Sequence, residues 1–89
     1  MKIKIRMAAG EIQTVHSHRI RLPQYPDLNL AVHFDIMGMT WFVVTEVTTG
    51  LRLGLNGTVK GAVKDALINI ERNGVTRLNK NIEAFKLAH

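Results

Sequence analysis

The spacing of apolar residues changes once along this chain, at Asn56-Gly57-Thr58. Before that point apolar side chains recur at every second position, the period of strands whose faces alternate. After it they recur at steps of three and four, the period of a helical stripe. Strands come first and helices last, and a lone helix pair could not cover the apolar strand faces that precede it. The sequence therefore predicts an α+β fold: an antiparallel β-sheet of about five strands followed by two C-terminal helices packed on one face. At 89 residues the chain is too short to divide into two cores, so a single domain spanning 1–89 is expected.

Residues 2–8 set Ile3, Ile5 and Met7 on one face and Lys2, Lys4 and Arg6 on the other. Ala9-Gly10 reads as a turn. The second strand runs from Glu11 to Leu22 with a bulge expected near Ser17, pairing with the first. Its face with Gln13, Val15, Arg19 and Arg21 then joins Lys2, Lys4 and Arg6 in one solvent-facing basic patch, while Ile3 and Ile5 turn toward the helices. A one-residue slip would reverse that assignment. Pro23 and Pro26 end the strand, because proline donates nothing to a central ladder. Residues 30–37 and 39–48 form a hairpin about Gly38, which sets Glu46 near Leu30 and Asp35 near Trp41. Residues 39–48 carry apolar groups on both faces and read as a central strand, covered at least in part on both sides. Thr49-Gly50 turns the chain into a short fifth strand, where Leu51, Leu53 and Leu55 alternate with Arg52 and Gly54.

Thr58 is the expected N-cap of the first helix. Val59, Ala62, Val63, Ala66, Leu67 and Ile70 make its stripe, and Asn73-Gly74 ends it with a glycine able to take positive φ. Thr76 reads as the cap of a second helix, residues 76–87, with Leu78, Ile82 and Phe85 inward. The predicted core joins both stripes to Ile3, Ile5, Leu30, Val32 and Phe34 or their neighbours.

The chain has no cysteine, which excludes disulfides, thiol catalysis, zinc fingers and iron–sulfur clusters together. It has no apolar run of about 18 residues and its first residues are charged at alternate positions, so neither a transmembrane helix nor a signal peptide is expected, and the cytoplasm is the expected compartment. Lys and Arg number 12 against 7 acidic residues, a net charge of +5. The excess is uneven. Lys2, Lys4, Arg6, Arg19 and Arg21 face only Glu11 within residues 1–26, whereas residues 27–56 are net acidic. A basic end favours an anionic partner, either nucleic acid or an acidic protein face. The candidate partner-binding residues are those five together with Arg52 on the fifth strand and Lys60 and Lys64 on the first helix.

Catalytic chemistry finds little support. His16, His18 and His33 would make a three-histidine metal site only if the pairing brought His33 close, and neither metal nor cofactor is expected. The carboxylates are scattered, Ser17 is the only serine, and Gly54, Gly57 and Gly61 match neither a P-loop nor a dinucleotide fingerprint. The chain therefore reads as non-enzymatic. Phe42, with Arg52 on the neighbouring strand, is a candidate for base stacking, and the alternative is that Trp41 or Phe42 packs beneath the helices. Met37 and Met39 at the hairpin turn offer adaptable contact surface. The open edges of such a sheet would allow a homodimer.

The stretch Trp41-Phe-Val-Val-Thr-Glu-Val-Thr-Thr-Gly50, followed by a short strand and the helix Thr58-Val-Lys-Gly-Ala62-Val-Lys-Asp-Ala66, resembles a pattern of small phage and prophage accessory proteins. It covers about a third of the chain, and its motif is structural: a turn, a cap and a packing face. The same order of elements resembles the DNA-binding sheets of plant transcription factors and phage integrases, which carry arginines on the sheet face; residues 30–48 carry none. Small phage accessory proteins of this size include anti-CRISPR and other anti-defence inhibitors. The resemblance implies a binding protein, encoded by a phage or mobile element, that blocks a host nucleic-acid-processing or defence complex without catalysis. A small basic nucleic-acid-binding protein is the alternative.

Overall fold

A computed structural model describes residues 2–6, 10–34 and 41–88, with Arg6 described by its backbone alone. Asp35, the Met37-Gly38-Met39 turn, Met7, Ala9 and His89 lie outside the described residues. The elements in chain order are β1 (Lys2–Arg6), β2 (Ile12–His16), β3 (His18–Leu22), β4 (Tyr25–Phe34), β5 (Phe42–Glu46), β6 (Leu51–Asn56), α1 (Val59–Asn73) and α2 (Val75–Ala88). β1 and β2 form a two-stranded sheet, and β3, β4, β5 and β6 form a second sheet in chain order, every pair antiparallel. The α+β class and the two closing helices are as expected, but the strands divide between two sheets.

The division falls at Ser17, where the expected second strand is two strands. Val15 is the inward residue of β2, with Ile20 and Leu22 inward on β3. The inward positions thus change from odd to even numbers, and a flat strand cannot bury both sets on one face. The chain bends at the buried Ser17 and passes from one sheet to the other, the usual way a strand turns a sheet corner. Ile12, an even-numbered position like the inward Ile20 and Leu22, is 63% exposed on the outer face of β2, and Val15, placed on the solvent face by the continuous-strand reading, is buried.

The proline segment also differs from expectation. Only Pro23 and Gln24 form the turn, and β4 starts at Tyr25. The β3–β4 register runs from Ile20↔Leu30 to Leu22↔Tyr25, so residues 26–29 bulge opposite Arg21. Pro26 sits in that bulge, where its missing N–H interrupts no regular rung. The β4–β5 hairpin pairs Leu30 with Glu46 and Phe34 with Phe42, the register expected from the sequence.

β4 is buried on both faces. Leu30 and Val32 point to the helix side, where they join Leu22, Leu28, Val44, Leu53, Ala62, Ala66, Ile70, Leu78 and Ile82 in the main core. Ala31 points the other way and packs with Ile3, Ile5 and Val15 in a smaller core. The β1–β2 sheet therefore covers the face of β4 opposite the helices, and Ile3 and Ile5 do not face the helices as expected. Phe34 is also outside the core, at 62% exposed.

α1 follows its predicted stripe. Thr58 Oγ1 accepts a hydrogen bond from Gly61 N at 3.0 Å, and Gly74 ends the helix at φ +85° with its N–H on Ile70 O. Val59, the first apolar residue of the stripe, is 40% exposed. α2 begins at Val75, so Thr76 lies inside its first turn rather than capping it; Leu78 N instead bonds to Gly74 O. The α1–β6 contact is made by small residues. A bulge between Val44↔Gly54 and Thr45↔Arg52 turns both Leu53 and Gly54 inward. A Cβ on Gly54 would overlap Ala62 O and lie 2.7 Å from Ala66 N. Glycine is required there by backbone approach, not by its φ. No helix among the described residues is long and apolar enough to cross a membrane.

Candidate functional site

Among the described side chains, the cations predicted to bind a partner stand at the surface, but not on one sheet face. Lys2 and Lys4 are exposed on the outer face of β1, opposite His16 and Thr14 of β2. Alternation puts them there because Ile3 and Ile5 are held in the smaller core. Arg19 and Arg21 are exposed on β3, in the other sheet, and Arg19 is paired with Ala31. The single basic patch expected from a continuous second strand is thus divided by the bend at Ser17. The side chain of Arg6 lies outside the described residues. Lys60 and Lys64 are exposed one turn apart on α1, and Arg52 is exposed on β6. β3 is an outer strand of its sheet, and exposed arginines along an outer strand discourage edge-to-edge pairing.

The described titratable side chains of the interior, Glu46 and His33, are engaged by the fold. Glu46 is fully buried at the end of β5. Its Oε1 accepts from Thr49 N and Thr49 Oγ1, each at 2.8 Å, and its Oε2 accepts from Thr48 N at 3.0 Å. Thr49 Oγ1 in turn accepts from Leu51 N. The carboxylate therefore ties the turn after β5 to the start of β6, supplying acceptors where tight-turn N–H groups have no ladder partner. Gly50 closes that turn at φ +73°, donating to Glu46 O.

His33 Nδ1 lies 2.8 Å from Phe34 O, which only accepts, so Nδ1 carries a proton. Its Nε2 lies 2.9 Å from Thr45 Oγ1. Both ring nitrogens are occupied. His33 points to the Ala31 side of β4, whereas Glu46, paired with Leu30, lies on the helix side. The two groups are on opposite faces of one sheet and cannot serve one substrate as acid and base. His18 pairs with Val32 and His16 with Lys2, so these imidazoles do not converge on His33. No group of three His, Cys, Asp or Glu among the described residues is arranged to hold a metal ion.

Phe42 is half-buried against the main core beneath the helices. Phe34 rests on it with ring centroids 4.5 Å apart and planes at 32°. Phe42 pairs with Asn56 and Thr45 with Arg52, so Arg52 is three rungs along the hairpin from the ring. The exposed aromatic of this pair is Phe34, not Phe42. Its position opposite Phe42 follows from the hairpin register.

A second grouping was not visible in the sequence. Arg52 on β6 lines a cleft of about 280 Å³ with Asn69 and Asn73 near the end of α1 and with Arg77 and Asn81 on α2. The positions are far apart in the chain, and only the packing of α1 and α2 against β6 assembles them. Compared with known protein families, with curated proteins and with solved structures, the chain matches none.

Proposed function

We propose that this chain is a non-enzymatic binding protein that presents its cations to an anionic face of a nucleic-acid-processing or defence complex and acts by occupying that face. The observation that carries the reading is a separation of roles. Glu46 and His33, the buried groups able to move protons, are consumed by hydrogen bonds within the fold. The cations stand outside, and Lys86–Glu83 is the only salt bridge among the described residues. Exposed, unpaired cations contribute little to stability. They steer association and select partners of opposite charge. The mode is that of the small phage anti-defence inhibitors the sequence resembles.

Direct nucleic-acid binding is the second reading, favoured by the exposed Phe34 ring and the same cations. One experiment separates the two. The immobilised protein is incubated with bacterial lysate with and without nuclease, alongside the variants Lys2→Glu/Lys4→Glu and Arg19→Glu/Arg21→Glu. The proposal expects a protein complex that is retained after nuclease and lost at least several-fold with one of the variants. Recovery of nucleic acid alone overturns it. In that case the affinity should fall with salt at a logarithmic slope of about −0.9 per neutralised phosphate on duplex DNA.

A further inference from the structure

We propose that the cleft between β6, the C-terminal turn of α1 and α2 binds a phosphate monoester. Its lining includes two arginines, Arg52 and Arg77, from different elements, together with Asn69, Asn73 and Asn81, and no acidic residue among the described residues. Neither arginine has an acidic partner among the described residues. Arginines from two elements that line one cleft favour an anion there, which can accept several charge-assisted N–H bonds.

The asparagines are set for the same task. Asn73 Nδ2 donates to Asn69 Oδ1 at 2.6 Å and to Asn69 O at 3.1 Å. That bond fixes both amides and leaves Asn69 Nδ2 as a donor and Asn73 Oδ1 as an acceptor. The donor adds to the guanidiniums, and the acceptor suits a hydroxyl, such as one on a sugar. The remaining wall is apolar, from Leu53, Ile70 and Leu78. Gly74, also at the wall, precedes the first turn of α2, whose leading N–H groups have no acceptor within the helix and which holds no acidic residue. A volume of about 280 Å³ admits the phosphate and sugar of one nucleotide rather than a long strand.

Two sources share this chemistry: a free mononucleotide and the phosphorylated end of a nucleic-acid strand. The site goes beyond the proposed partner surface, since Arg77 and the asparagines are not part of it. The test follows backbone amide shifts by NMR while adenosine 5′-monophosphate, adenosine, inorganic phosphate, and a short oligonucleotide with and without a 5′-phosphate are added in turn. Adenosine 5′-monophosphate should shift amides of residues 51–53 and 69–81, and adenosine should not. Arg77→Gln and Arg52→Gln should each weaken binding at least ten-fold, with Arg77→Lys intermediate, while Lys2→Glu/Lys4→Glu leaves it unchanged. Circular dichroism on each variant guards against loss of fold. A further gain with the 5′-phosphorylated oligonucleotide over its unphosphorylated form assigns the strand end; equal or weaker binding than the mononucleotide assigns the free nucleotide. If no amide in residues 69–81 responds to millimolar phosphate or nucleotide, or if folded Arg52→Gln and Arg77→Gln bind as the wild type does, the proposal is overturned.

Discussion

The two faces of β4 are covered in different ways. On the helix side Leu30 and Val32 meet a core that runs from Leu22 to Ile82, with Gly54, Ala62 and Ala66 bringing the backbones of β6 and α1 together. On the other side, among the described residues, Ala31 meets Ile3, Ile5 and Val15, with Val47 at the margin, and the next inward residue is a hydrogen-bonded histidine. Burial of apolar area is the main favourable term in folding. The helix side therefore holds the fold together, and the β1–β2 sheet is a cover over a smaller apolar patch. The same contrast places the cations. A strand that covers a small core turns every second side chain to water, and in β1 those side chains are Lys2 and Lys4.

The largest effect should come from closing the gap between β6 and α1. Gly54→Val puts two methyl groups where even a Cβ overlaps Ala62 O, which is backbone and cannot rotate away. Overpacking of this kind should destabilise the protein by about 3 kcal/mol or more, read by urea denaturation. A loss below about 1 kcal/mol would show that α1 is free to move off the sheet.

A matched pair of truncations compares the two cores. Ile70→Ala, at a site 2% exposed on the helix side, should cost about 2–5 kcal/mol. Ile5→Ala, in the smaller core, should fall at or below the low end, about 2 kcal/mol, because fewer buried neighbours lose contact. Equal losses would erase the contrast between the faces.

Glu46→Gln tests the turn that joins β5 to β6. The amide presents N–H groups where Thr48 N and Thr49 N already donate, so one buried donor loses its acceptor. The expected loss is about 1–3 kcal/mol in chemical denaturation at neutral pH. A neutral outcome would mean that water replaces the lost acceptor.

The smallest effect belongs to the surface. Arg19→Glu/Arg21→Glu should leave the thermal midpoint unchanged within error, since both side chains are exposed and unpaired among the described residues. Unfolding of this variant would make the arginines structural and remove them from any binding surface.

Much of the helix side was legible in the sequence. The Leu30↔Glu46 register followed from the Gly38 turn, and the α1 limits followed from Thr58 and Gly74. These are local signals: a turn, a cap, a glycine with positive φ. The exceptions were tertiary. An irregularity near Ser17 was legible as a bulge, but the passage into a second sheet was not, because it reflects which core each half of the strand must reach. The bulges that hold Pro26 and Leu53 break the alternation on which the strand reading relied. The cations were legible as exposed residues, but their division between two sheets was not. The cleft of Arg52, Arg77 and Asn69 has no local pattern at all, since three separate elements build it.

Native-state hydrogen exchange tests the difference between the two faces most directly, because it reads the opening free energy of each strand within one protein. Amides paired between β1 and β2 should exchange through a local opening, with little dependence on low urea concentrations and a free energy below that of the whole molecule. Amides paired between β4 and β5, and those of α1, should exchange only through global unfolding. If the β1–β2 amides share the free energy and urea dependence of β4 and β5, the sheet that carries Lys2 and Lys4 is part of the cooperative core rather than its cover.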